Sequence, residues 1–164
     1  MRQLVYNSHT VVGLSPQAIT GAVTVDSISL KNYQHCTVYL LVTKGAGAET
    51  GAVALTQDTS VTPTGSVKAL GFSNMWKTAD ISTTDVEVLT AVVSNTFNMG
   101  GVASKNSIFQ IEIDTDTLDV DNSFDCLTVT LGTLVTGTAA VLFVLSQPRF
   151  INQTTHLTAI TDAG

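Results

Sequence analysis

The sequence predicts one all-β domain, a β-sandwich of jelly-roll type, on three observations. Apolar residues recur with a period of two and not 3.6. Val38, Leu40 and Val42 share a face of TVYLLVT, Phe109, Ile111 and Ile113 a face of FQIEI, and Leu127, Val129 and Leu131 a face of CLTVTL. Val and Thr dominate, both β-branched and suited to a pleated surface, while long-chain helix formers are scarce. Turn chemistry recurs at short intervals, in KGAGAETG, TPTG, NMGG, DNS and TGT. Many short strands without intervening helical stripes are the pattern of packed sheets.

Taken in order, strands are expected near 3–6, 18–31, 36–44, 51–57, 66–72, 75–79, 86–97, 107–114, 126–133 and 138–147. Leu4, Val5, Tyr6, Val11 and Val12 precede a break at Pro16. Residues 1–17 are therefore either an N-terminal arm that adds a strand to a neighbouring chain or the first edge strand of the sandwich formed by 18–164. Within 18–31 the inward parity switches from Val23 and Val25 to Ile28 and Leu30, so a bulge or bend is expected near Asp26 and Ser27. The stretch TADISTTDVEVLTAV leaves room for one short helical turn at Ser82 to Glu87. AAVLFVL, from Ala139 to Leu145, is apolar on both faces, which suits a central strand whose back is covered by another element or subunit.

Charge is the odd feature. Only 12% of the 164 residues are Asp, Glu, Lys or Arg, against about 25% in ordinary globular domains. Hydrophobic content is 44% and mean hydropathy +0.31. An apolar excess without a membrane segment implies that part of the outer surface is buried against other chains, as in an obligate oligomer or a lattice member. A net charge of −6 and a pI near 4.7 argue against nucleic acid as a partner, because seven scattered Lys and Arg cannot line a phosphate track. The start MRQLVYNSHT lacks the charged head and apolar stretch of a signal peptide, and AAVLFVL falls short of the roughly 18 residues of a membrane span. A soluble, unexported chain with no membrane partner is expected. Cys36 and Cys126 sit in apolar runs and are expected as free thiols.

Six of the thirteen acidic residues, Glu112, Asp114, Asp116, Asp119, Asp121 and Asp125, crowd into IEIDTDTLDVDNSFD. With Phe109, Ile111 and Ile113 inward, Glu112 and Asp114 stand on the opposite face. DTLDVDNSFD then reads as a turn whose Asp and Asn cap their own backbone amides. Asp119, Asp121 and Ser123 have the one-three-five spacing of a calcium loop, with Asp125 nearby, which makes the three aspartates weak metal candidates. Phe124 stands where such a loop needs Gly, and Thr130 where it needs a bidentate Glu, so neither metal nor other cofactor is expected.

Catalytic constellations fail as well. His35 and Cys36 are adjacent in a strand and point to opposite faces, so they cannot act as base and nucleophile. His9 and His156 lie near the termini without companion ligands. GAGAETG, from Gly45 to Gly51, joins two strand patterns instead of opening a helix and lacks the helix N-terminus that would hold phosphate. GFSNM around Ser73 lacks the last glycine of a nucleophile elbow. No enzyme is expected.

The segments ISLKNYQHCTVYLLV from Ile28, KALGFSNMWKT from Lys68, IEIDTDTLDVDNSFDCLTVTL from Ile111 and AVLFVLSQPRF ending at Phe150 resemble, in this order, a family of tailed-bacteriophage and prophage proteins associated with the capsid. The resemblance implies a non-catalytic virion protein that decorates or cements the head shell from outside, after assembly in the host cytoplasm. It implies the major capsid protein as partner and symmetric self-association, trimers before dimers. Leu4, Val5, Tyr6, Val11, Val12 and Trp76 are the interface candidates. The alternative is a carbohydrate-binding β-sandwich module of a phage tail or fibre. With 6% aromatic residues and one tryptophan, a sugar platform is hard to assemble, so Trp76 is expected as a packing or interface anchor.

Overall fold

A computed structural model describes residues 7–45, 51–62, 65–78, 80–83, 87–99, 105–150 and 160. Its strands are β1 (Ser8–Ala18), β2 (Val23–Thr24), β3 (Ile28–Ser29), β4 (Tyr33–Thr43), β5 (Ala52–Asp58), β6 (Val67–Ala69), β7 (Phe72–Thr78), β8 (Glu87–Ser94), β9 (Thr96–Asn98), β10 (Ser107–Asp114), β11 (Cys126–Leu131) and β12 (Thr138–Pro148). Two 3-10 turns, Thr115–Thr117 and Val120–Asn122, lie between β10 and β11. Among the described residues no helix is long and apolar enough to cross a membrane.

The strands form two antiparallel sheets, ordered β1-β12-β4-β10-β7-β8 and β2-β11-β5-β6, with β3 pairing on β11 and β9 on β5. Set aside the β7–β8 hairpin and the chain alternates between sheets, so that first and last strands pair in one sheet and second and penultimate strands in the other. This nesting is the jelly roll. The β7–β8 hairpin extends the first sheet beyond β10.

Burial follows the period-two pattern. Val38, Leu40 and Val42 of β4, Phe109, Ile111 and Ile113 of β10, Val129 and Leu131 of β11, and Val141, Phe143 and Leu145 of β12 are nearly inaccessible and meet between the sheets. Phe97 of β9 packs on Phe109 of β10 at 5.3 Å between ring centroids, which ties the two sheets together. Cys36 and Cys126 are free and buried, and burial pushes the Cys126 thiol up to about 12.

Several expected boundaries shift. The expected strand 18–31 is two short pieces, β2 and β3, both on β11, and the gap between them falls at Val25 to Ser27 where the inward parity switches. There Ser27 Oγ and Thr128 Oγ1 are 2.6 Å apart, and Thr128 Oγ1 donates to the buried Asp58 Oδ2 at 2.7 Å. The expected strand 86–97 breaks at Asn95 and sends β8 and β9 into different sheets. Residues Ser8–Ala18, which cross Pro16, form an edge strand along β12. Proline is tolerated there because it stands at an edge, within the register shift between Leu14 and Gln17. The expected strand 3–6 lies outside the described residues.

Candidate functional site

The outer face of the first sheet carries the features that need explaining. Register places Val12, Leu142, Tyr39, Gln110, Trp76 and Leu89 side by side across all six strands, from β1 to β8. Around the β1-β12-β4-β10 end of this row stand Ala140, Val144, Leu41 and Ile108, an apolar patch interrupted by Gln110 and by threonines such as Thr10 and Thr37, and bounded on one side by Ser146, His35, Glu112 and Asp114. Val12 is 51% exposed and Leu41 37%. None of the described elements lies over this face. AAVLFVL is thus a central strand with one side buried between the sheets; the cover expected over its other side is not supplied by any described element, and Ala140, Leu142 and Val144 there are half-buried.

Next to the apolar row lies a charged clamp. His35 of β4 and Asp114 of β10 are opposite in register, as are Thr37 and Glu112. His35 Nδ1 is 2.7 Å from Asp114 Oδ1, and its Nε2 meets Glu112 Oε2. Thr37 Oγ1 donates to the same Glu112 oxygen at 2.8 Å, and Gln110 Nε2 donates to Glu112 Oε1 at 2.6 Å. Burial of the imidazole works against its charge, but the hydrogen bonds and negative charges of Asp114 and Glu112 outweigh this and raise its pKa above the ordinary value.

A cleft opens at the other end of the row. The β10–β7 ladder is confined to Phe109 opposite Lys77 and Gln110 opposite Trp76. Beyond it β7 stays with β8 through a bulge between Phe72 and Asn74, while β10 stays with β4. The strands part, and a depression of about 740 Å³ remains, with Trp76, Asn74, Leu89, Gln110, Glu112 and Asp114 among its lining residues. Trp76 is 39% exposed and Leu89 52%.

The structure distributes the sequence-predicted residues unevenly. Val11 faces Phe143 in the ladder and is buried in the core, so it is a packing residue and not a surface anchor. Its neighbour Val12 points outward, and Trp76 lines the cleft. Leu4, Val5 and Tyr6 lie outside the described residues. Glu112 and Asp114 face outward as alternation predicts. Asp119 does not cap a backbone amide of its 3-10 turn, contrary to expectation. Asp119 instead accepts from Lys68 Nζ at 2.8 Å and Asn122 Nδ2 at 2.9 Å, and these bonds hold its carboxyl below the usual range. Among the described residues no three His, Cys, Asp or Glu side chains are grouped to hold one ion, so Asp119, Asp121 and Asp125 are not brought together.

Two buried carboxylates, Asp58 and Asp80, have no counterpart in the sequence reading. Asp80 accepts from Lys105 Nζ at 2.9 Å and from the amides of Ser82 at 3.1 Å and Asn106 at 3.3 Å. These bonds, Lys105 first, hold its pKa well below the usual carboxylate range and pin the 80–83 turn to the start of β10.

No protein-family model matches the chain, and no curated protein is similar to it. Among solved structures the chain is similar to the SPBc2 prophage-derived protein YomS, at 12% identity and a TM-score of 0.44 over 85% of this chain and 92% of that one. It is also similar to the CBM22-1–GH10 modules of Clostridium thermocellum endo-1,4-beta-D-xylanase 10B complexed with xylohexaose, at 10% identity and a TM-score of 0.37 over 91% and 28% of the two chains. A third likeness, to the VP2 subviral particle of infectious bursal disease virus, has 13% identity and a TM-score of 0.24 over 87% and 41%. At these values the likenesses carry no argument about function.

Proposed function

We propose that this chain is a structural protein of a tailed-phage virion, a homo-oligomer that decorates or cements the capsid from outside and catalyses nothing. The observation that carries the proposal is the apolar outer face of β1, β12, β4 and β10, which no described element covers and on which Val12 and Leu41 are exposed and Leu142 and Tyr39 half-buried. A monomer gains nothing from such a face in water, whereas a lattice protein uses it as contact area. The scarcity of charge and the sequence resemblance to head-associated phage proteins support the same conclusion. The major capsid protein is the partner, and trimers come before dimers because closed symmetry matches the local axes of an icosahedral shell. The whole-function alternative, a carbohydrate-binding module of a tail or fibre, leaves this apolar face unexplained.

The test is a map of intact particles at residue-level resolution, combined with sedimentation of the isolated chain. The chain should occupy the outer capsid surface in symmetric clusters. Particles that lack it, together with a chain that stays monomeric at high concentration, would overturn the proposal.

A further inference from the structure

We infer that the cleft between β7 and β10 is a binding site for a neutral oligosaccharide, with Trp76 as the stacking platform and Asn74, Gln110 and Glu112 as the hydrogen-bonding rim. This site does not depend on the capsid-docking surface for its ligand. The two adjoin along β10, which supplies Gln110 and Glu112 to the cleft, while Val12 lies on the far β1 edge and Trp76 on the added β7–β8 hairpin.

The ligand class follows from what lines the cleft. Its volume, about 740 Å³, lies within the range of small-molecule sites, roughly 300–1,000 Å³. Trp76 and Leu89 pair across β7 and β8 on its outer side and are both substantially exposed. A flat apolar platform beside polar side chains suits a molecule with one C–H face and a rim of hydroxyls, which describes a pyranose ring. Gln110 and Asn74 each carry an amide donor and acceptor, and Glu112 carries a carboxylate acceptor, so together they match hydroxyls that both donate and accept.

The rim is also rigid before any ligand arrives. Glu112 is held by Thr37 and His35 on one oxygen and by Gln110 on the other, which fixes Gln110 in turn. Preorganised planar polar groups lose little entropy on binding. Neither Lys nor Arg is among the lining residues, so an anionic ligand such as a phosphate has no counter-charge there. His35 stands between Glu112 and Asp114, and among the described residues no three His, Cys, Asp or Glu side chains converge to hold a metal ion. A neutral, hydroxyl-rich ligand is what remains.

The chain has one tryptophan, so its emission reports on this cleft alone. The full chain is titrated with neutral β-1,4-linked hexaoses of glucose, xylose and N-acetylglucosamine, by tryptophan fluorescence and by calorimetry. At least one hexaose should produce a saturable emission change. Its affinity should fall about tenfold or more in Gln110→Ala and in Trp76→Ala, the latter read by calorimetry, and should largely survive in Trp76→Phe, which keeps a platform. Melting curves of the variants verify that each is folded. No saturable response to any of the three hexaoses overturns the proposal. So does a response of unchanged affinity in both Gln110→Ala and Trp76→Ala. Because the titration uses isolated chain, its outcome is independent of whether the chain is found on particles.

Discussion

His35 and Asp114 stand opposite one another in the β4–β10 ladder, with imidazole Nδ1 2.7 Å from the carboxylate, while the second ring nitrogen meets Glu112. A neutral imidazole has one N–H, so both contacts are hydrogen bonds to carboxylates only when the ring is charged. Asp114 and Glu112 raise the folded pKa of His35 against the opposing effect of burial. A raised histidine contributes stability that is fully present below its unfolded value, about 6.5, and is lost as pH rises through the folded value. The melting temperature should therefore decline as pH rises above about 6.5, and His35→Gln should flatten that decline. An identical slope in the variant would show that the clamp does not report on folding.

The clamp was half legible in the sequence. Period-two alternation places Glu112 and Asp114 outward on one strand and His35 outward on another. What alternation does not supply is which strands pair and in what register, and the partners are more than 70 residues apart. The same limit explains β1. Pro16 marks a break when sequence is read alone, but at an edge strand its missing N–H costs no ladder bond. The strands β10, β11 and β12 were the clearest because one or both of their faces are continuously apolar. The cleft was illegible because it lies where the β7–β10 ladder ends after two pairs, and nothing in GFSNMWKT announces that end.

Gly13 shows how tightly β1 is seated. It lies in the register shift between Val12 and Leu14, and a Cβ added there would stand 2.7 Å from Val25 Cγ1 and closer still to the ring of Phe143, which is fully buried. Neither neighbour has room to retreat without opening the core. Overpacking of this kind typically costs about 1–3 kcal/mol. Gly13→Ala should lower the denaturant midpoint accordingly without changing the slope of the transition. A variant as stable as the parent would mean that the edge strand shifts freely on the sheet.

The outer apolar face makes the sharpest demand on the proposed capsid role. Leu142 sits in its middle, between Val12 and Tyr39 in the ladder, and is only partly shielded by the chain itself. In the free protein, Leu142→Lys should be nearly harmless, because a lysine stem lies along apolar surface while its ammonium stays in water. In a docked assembly the same ammonium is taken out of water without a partner, at a cost of about several kcal/mol. A loss of only about 2.7 kcal/mol already weakens association a hundredfold. Leu142→Lys should therefore melt within a few degrees of the parent and yet fail to oligomerise or to stay on particles. Val67→Lys, on the exposed β6 of the other sheet, is the matched control and should retain both properties. Since few charges exist to steer docking, salt at about 1 M, where the Debye length is about 3 Å, should strip little of the parent protein from the shell. If Val67→Lys lost binding and Leu142→Lys kept it, the docking face would be the second sheet, and the open row across β1, β12 and β4 would need another explanation.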